Sequence, residues 1–353
     1  MDFGITTAKI DEVGYIVHAE NLGFTHCWVT DSQMIRSHPF AVLAVAAMQT
    51  RTIKLGVGVA IPGLRLAPVT ANGIATINRL APGRCFIGLG TGHTAMRTIG
   101  QRPMRLAPFA EYIKVVRGLI RGEAVDYTLG GETHRIAFGA REFRYVDVEH
   151  PIPLYVAGYG PKAQALAGEL GDGLVTGIPR GGTVAEALAN ARAGAARVGR
   201  TLDAGFYLAE RVSLCMLEPG EDLMSDRVLE DAGPAVMTGM HYLVSRYLEV
   251  GAEPPSYAET AWKPYLAYIQ GLPEAERHTR LHDSHYTKLS PEEARFITPE
   301  LIRGTCLAGQ PEEIVEQLQE MERQGCHQVG LNLPIGRMYR IIEDFADRVM
   351  ARL

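Results

Sequence analysis

Three short stretches combine side chains that do chemistry with glycines that let a backbone turn sharply. Gly90-Thr91-Gly92-His93 sets an imidazole directly after a glycine-rich turn. Imidazole titrates close to neutral pH, so His93 is a candidate to move a proton. Asp31-Ser32-Gln33 follows a short apolar run and offers a carboxylate and a hydroxyl, although Asp31 suits equally well the capping of the next segment. Gly158-Tyr159-Gly160-Pro161-Lys162 places glycines and a lysine where a strand turns into a helix. Backbone N–H groups and the positive end of the helix dipole can hold an anion there, or the glycines only form a tight turn. His241 is a further candidate on the substrate side. His278, His282 and His285 have a spacing that could face one side of a helix, but the run is polar and lacks cysteines, so no metal site is expected.

The elements that must position these residues alternate. Apolar, β-branched runs fall near residues 3–6, 26–30, 53–60, 84–90, 153–157, 173–178, 206–217 and 327–333, and nearly all precede a segment with helical apolar spacing. Lys54 to Gly92 is the clearest unit, a strand, loop, helix and strand with glycines at both strand ends. Such a βαβ unit implies a parallel sheet, and parallel sheets gather ligands at the carboxyl ends of their strands. Eight alternations predict an α/β fold of the (β/α)8 barrel type, with no G-x-G-x-x-G fingerprint to favour a doubly wound sheet. Val125 to Ile136 predicts a hairpin turning at Gly130-Gly131.

The rhythm breaks over residues 218–300, after the seventh strand. Helices are expected near Ala235–Glu249 and Tyr257–Gln270, and six tyrosines and one tryptophan crowd into residues 240–286. The segment reads as an insertion serving as a lid on a single barrel domain spanning residues 1–353. Phe40 to Met48 is apolar all round, so the helix it predicts needs cover from another layer or a second subunit.

Composition narrows the class. The 353 residues are 46% hydrophobic with a formal charge of -5, which gives no reason to expect nucleic acid or an anionic membrane as partner. No basic start followed by an apolar run opens the chain, no stretch approaches a membrane span, and the five cysteines are scattered, so a cytoplasmic setting is expected.

Taken in order, Leu55-Gly56-Val57-Gly58-Val59, Ala67-Pro68-Val69-Thr70-Ala71, Gly83-Arg84, Gly88-Leu89-Gly90-Thr91-Gly92, Pro153-Leu154-Tyr155-Val156-Ala157, Gly160-Pro161-Lys162, Gly171-Asp172-Gly173 and Gly309-Gln310-Pro311-Glu312-Glu313 resemble the bacterial-luciferase-like superfamily, in its methylenetetrahydromethanopterin-reductase-like branch. The resemblance implies a (β/α)8 barrel that binds FMN or the deazaflavin coenzyme F420 at the carboxyl end. It implies a non-prolyl cis peptide at Gly58-Val59, with Ala60 beside it, behind the cofactor ring. Gly90, Thr91 and Gly92 would border the ring. Ala157, Gly158, Tyr159, Gly160 and Lys162 would hold the phosphate, with Gly177 and Ile178 as a second wall.

Two departures bear on activity. Many F420-dependent relatives carry Asp-His where this chain has Asp31-Ser32, and His93 stands where an acid is common. The reading that follows is an FMN-dependent monooxygenase acting on a small organic substrate, supplied by a separate flavin reductase and dimeric through the apolar helices after strands two and three. The alternatives are an F420-dependent reductase or dehydrogenase transferring hydride without oxygen, and a flavin-binding protein without turnover.

Overall fold

The computed structural model of the chain describes residues 1–177, 182–281 and 285–353. The amino-terminal half runs β1 (Asp2–Thr7), α1 (Gly14–Asn21), β2 (His26–Val29), α2 (Pro39–Gln49), β3 (Lys54–Ala60), α3 (Ala67–Leu80), β4 (Cys85–Leu89), α4 (His93–Arg97) and α5 (Leu106–Ile120). A hairpin of β5 (Val125–Leu129) and β6 (Glu132–Ile136) follows, then β7 (Leu154–Ala157), α6 (Pro161–Leu170), β8 (Gly173–Thr176) and α7 (Val184–Arg197). The rest comprises β9 (Tyr207–Met216), α8 (Asp226–Val250), α9 (Glu259–Gln270), α10 (Glu274–Arg280), α11 (Pro291–Ala294), α12 (Pro299–Thr305), β10 (Cys306–Gly309), α13 (Pro311–Arg323), β11 (Gln328–Asn332) and α14 (Met338–Arg348).

Strand order β9-β11-β1-β2-β3-β4-β7-β8, with β8 returning to β9, closes a parallel eight-stranded (β/α)8 barrel with an insertion after its seventh strand. By packing, the chain divides into two compact units, Met1–Glu210 with Gly325–Gly330 and Arg211–Gln324 with Leu331–Leu353.

In the first unit, large aromatics alternate with glycines across the strand register. Trp28 and Phe86 are the partners of Gly56 on either side, and their rings meet edge-on at 4.4 Å. A Cβ on Gly56 would lie 2.3 Å from the Phe86 ring. Tyr155 and Tyr207 likewise flank Gly173 and stack at 5.4 Å. Each aromatic pair adds about 0.5–1.5 kcal/mol beyond its buried area. Trp28 Nε1 donates to Gln328 Oε1 at 2.8 Å, which joins β2 to β11 inside the barrel.

His26 is fully buried between Phe86 and Tyr207. Thr25 donates its hydroxyl proton to the Phe3 carbonyl, so the 2.8 Å contact between Thr25 Oγ1 and His26 Nδ1 has the imidazole as donor. Burial, reinforced by repulsion from Lys54 and opposed by Asp2, pushes His26 down to about 3.

Helices α6 and α7 approach through two glycines. A Cβ on Gly168 would lie 1.8 Å from the Ala191 carbonyl oxygen, and one on Gly194 would lie 1.9 Å from that of Ala165.

The second unit has a helical core of its own, built from Val236, Met240, Val244, Trp262, Tyr265 and Ile302 among others. Four of the six tyrosines and the tryptophan of residues 240–286 pack in this core: Trp262 meets Tyr247 edge-on and Tyr265 meets Phe296. Helix α8 begins at a Ser225 cap, nine residues before the expected start, because Pro234 lies within the helix instead of ending it. Strand β10 was not expected. It is four residues long, directly follows α12 and pairs with β9 through Cys306↔Ser213. In α2, Val42, Leu43, Ala46 and Ala47 are buried while Met48 is 72% exposed, so this chain covers only one side of that apolar helix.

Two outcomes are expected. Alanine favours a helix over glycine by about 1 kcal/mol, yet Gly194→Ala meets backbone and should destabilise by about 1–3 kcal/mol, read as a lower urea midpoint at unchanged slope. Ordinary histidine titrates near about 6.5, so the unfolded chain binds the extra proton first and His26 removes stability as pH falls from there toward about 3. Denaturation across that window should therefore favour His26→Asn increasingly at lower pH, with a constant difference above about pH 7.5.

Candidate functional site

The candidate site lies in the first unit, at the carboxyl ends of its strands. Between Val57 and Ala60 the β3–β4 register shifts, and the Gly58-Val59 peptide bond is cis, where the family resemblance implied it. Val59 fits because strand four presents glycines: a Cβ on Gly90 would lie 2.5 Å from Val59 Cγ2, and one on Gly88 2.8 Å from Cγ1. Gly90 donates its amide to the Ala60 carbonyl at 3.1 Å, holding the two strand ends together. Thr91 accepts at its carbonyl from Met104 N–H. Gly92 has a φ of +88°, and a Cβ there would meet Ile61 and Met96, so this turn requires glycine on both counts. Ile61, Ala95 and Met96 form an apolar cluster with Val59 and Leu64. His93, half-buried, opens the short helix α4, where a loop was expected.

Asp31 differs most from its sequence reading. It neither caps a helix nor presents a free carboxylate. Its side chain is fully buried and accepts from both Arg65 terminal nitrogens, at 2.5 and 2.6 Å, and from the Ile61 N–H at 3.3 Å. Burial alone would lower Arg65, but the paired hydrogen bonds and charge of Asp31 outweigh it and raise the guanidinium above its ordinary value. Arg65 also lies over the Phe40 ring at 5.5 Å. This fork ties the loop after β2 to the loop after β3, immediately beyond Val59 and Ala60. Arg65 carried no signal in the sequence, since an arginine 34 residues from its partner in a Pro-rich loop resembles a surface cation. Ser32 is half-buried on the same loop. Gln33 Nε2 donates to the Ala95 carbonyl at 3.0 Å, linking the loop after β2 to α4.

The anion cradle is partly corrected. Gly158 does not offer its amide, which donates to the Val175 carbonyl at 2.9 Å. Its role is close approach, because a Cβ would lie 2.8–2.9 Å from Ala163 and Gln164 at the start of α6. Gly160 and Lys162 keep amides without an acceptor among the described residues, and Gly160 faces open space. Lys162 is exposed at that helix start, beyond Ala157 and Tyr159. Gly177 is buried directly after β8, and Ile178 lies outside the described residues.

His241 belongs to the second unit and is buried there. Its Nε2 contacts Glu293 Oε1 at 2.6 Å, and Tyr265 donates to the same oxygen at 2.6 Å. Burial would raise Glu293, but these hydrogen bonds and the His241 interaction hold it below the usual carboxylate range. The structure brings Asp31, Ser32, Val59, Ala60 and His93 to one set of linked loops and gives His241 separate partners. Among the described residues no group of three or more His, Cys, Asp or Glu side chains could hold a metal ion.

The strand ends fit a ring cofactor with a phosphate. Among the described residues, Thr30 Oγ1 beyond β2 and Thr176 Oγ1 at the end of β8 are buried without hydrogen-bond partners, and the Gly160 and Lys162 amides have no acceptor. Orphaned polar groups of this kind are costly unless a ligand satisfies them.

Replacing Arg65 by Met should cost about 3–5 kcal/mol, because Asp31 is left charged and buried. Adding Asp31→Asn should recover more than half of that loss, with both values read from denaturant titrations of the three variants.

A profile of the family described as luciferase-like monooxygenase matches residues 6–328. The chain is 29% identical over 345 residues to 5,10-methylenetetrahydromethanopterin reductase of Archaeoglobus fulgidus, covering 95% of this chain and 94% of that protein. It is 38% identical over 213 residues to the F420-dependent glucose-6-phosphate dehydrogenase of Beutenbergia cavernae, covering 55% of this chain and 61% of that one. Among solved structures, the coenzyme F420 dependent tetrahydromethanopterin reductase from Methanopyrus kandleri shares the fold with a TM-score of 0.68 at 21% identity, over 99% of both chains. With the barrel, the glycine-bordered strand ends and a match that runs nearly the whole length, the chain belongs to the luciferase-like monooxygenase family and is an oxidoreductase.

Proposed function

We propose that this protein is an F420-dependent reductase or dehydrogenase that transfers hydride between the deazaflavin and a small organic molecule. The observation that carries this reading is the set of unmatched groups at the strand ends, the Thr30 and Thr176 hydroxyls and the Gly160 and Lys162 amides, around a seat made by Val59, Ala60 and Gly90. Support for F420 over FMN comes from sequence relatives: one, matched over 95% of this chain, is named a reductase, and another is named for F420. Ser32 in place of histidine favours the FMN-dependent monooxygenase as the second reading, with a separate flavin reductase as its partner.

When bound, a deazaflavin supplies a ring carbon that accepts or donates hydride. The protein's share is positional and protonic. Val59 and Ala60 seat the ring, while Gly90, Thr91 and Gly92 leave room along its edge. Gly160 and Lys162 hold the phosphate through amides and an ammonium at the α6 amino end. Asp31 and Arg65 keep the seat loops in register. His93 moves the proton that accompanies hydride transfer at a substrate oxygen or nitrogen. The protein is proposed to dimerise through α2 and α3, where Met48, Val69 and Leu80 are exposed. No helix among the described residues is long and apolar enough to cross a membrane.

Parallel titrations with F420 and FMN, followed by absorbance and thermal melting, test the choice. F420 at about a hundred times its Kd should add about 2.7 kcal/mol of stability and raise the melting temperature by several degrees. Stabilisation by FMN alone would move the assignment to the monooxygenase reading, and stabilisation by neither would remove both.

A further inference from the structure

Gln33 lies just beyond the ion-paired Asp31, and its two amide ends meet different fates. Nε2 donates to the Ala95 carbonyl at 3.0 Å, whereas Oε1 is buried with no hydrogen-bond partner among the described residues. The Ala95 contact fixes the orientation, because a flipped amide would set two carbonyl oxygens against each other. Oε1 is therefore an acceptor in need of a donor. Strand order is β2-β3-β4, so a bond from the loop after β2 to α4 beyond β4 crosses the end of β3, where Val59 and Ala60 lie. Three residues before Gln33 on the same strand-end segment, Thr30 Oγ1 is a second buried group without a partner. A hydroxyl that can donate and an amide oxygen that can only accept make an ordered pair.

Resting on the cofactor-binding reading, we infer that Gln33 and Thr30 recognise the imide edge of the bound ring, Gln33 Oε1 accepting from the imide N–H and the Thr30 hydroxyl donating to an adjacent carbonyl. Flavins and deazaflavins share that edge, so this recognition holds for whichever ring the protein binds. A donor-less ring leaves the Gln33 oxygen buried and unsatisfied, which is where the discrimination arises. Gln33 thus acts on ring affinity and orientation from a loop pinned by Asp31 and Arg65.

The test is equilibrium binding, with unliganded melting temperature as control. The full-length protein, Gln33→Met and Thr30→Val are titrated with F420, with FMN, and with the bound ring methylated at its imide nitrogen. In the unaltered protein, methylation should weaken binding by about tenfold, and Gln33→Met should weaken binding of the parent ring by a similar factor. In Gln33→Met the methylated and parent rings should bind alike, a coupling that general loss of structure would not produce. Thr30→Val should weaken both rings equally. If Gln33→Met binds the parent ring within about twofold of the unaltered protein, or still rejects the methylated ring, the inference is overturned while the cofactor reading stands. If the unaltered protein binds neither F420 nor FMN, the cofactor reading fails and this inference with it.

Should unliganded Gln33→Met melt well below the unaltered protein, Gln33→Glu provides the second measurement. A protonated glutamic acid reproduces both the donor to Ala95 and the free acceptor, and ordinary glutamate titrates at about 4.3, so its ring affinity should recover as pH falls from about 7 to about 4. Affinity of Gln33→Glu that stays flat and weak across that range overturns the inference.

Discussion

The interior of the first unit is filled by four large rings, and the geometry of the strand ends follows from how those rings are accommodated. Trp28 and Phe86 meet across Gly56, and Tyr155 and Tyr207 stack across Gly173. An aromatic beside a glycine fills the space that two medium side chains would otherwise share, as close packing requires. Adjacent strands can then carry glycines toward their carboxyl ends as well. Gly88 and Gly90 exist in that setting, and the volume they leave is occupied by Val59.

Above this packed layer, the loops are joined by polar contacts. The Asp31–Arg65 fork, the Ile61 amide and the Gln33–Ala95 bond connect the loops beyond β2, β3 and β4. A buried ion pair adds little net stability because desolvation offsets its attraction, but its fixed bidentate geometry gives the loops one arrangement. Asp31 thus has both carboxylate oxygens engaged in holding these loops together. Residues 218–300 contribute to a helical core of the second unit in which Trp262 and Tyr265 are buried and Tyr247, Tyr257 and Tyr268 pack against them.

The barrel was legible because its signal is local and repeated. Eight short apolar runs, nearly all followed by helical spacing, report the alternation without knowledge of any contact. The hairpin at Gly130-Gly131 was legible for a similar reason, since both glycines take the positive φ that a tight turn demands. Local signals failed where the deciding contact was distant. Pro234 reads as a helix breaker, yet α8 continues through it with its apolar face buried in the second unit's core. β10 is four residues long and is defined by its pairing with β9.

The candidate site divides along the same line. Glycine positions at strand ends, the cis bond at Gly58-Val59 and the lysine at the α6 start followed from residue types, from order along the chain and from the family those imply. What only the tertiary structure decided is which polar groups are already satisfied. Gly158 gives its amide to Val175, whereas Gly160 and Lys162 keep theirs. Asp31 is neutralised by an arginine 34 residues away, and Gln33 is oriented by a carbonyl 62 residues away. A sequence specifies which donors and acceptors exist. Closure of the barrel brings distant loops together and so determines which of them remain for a ligand.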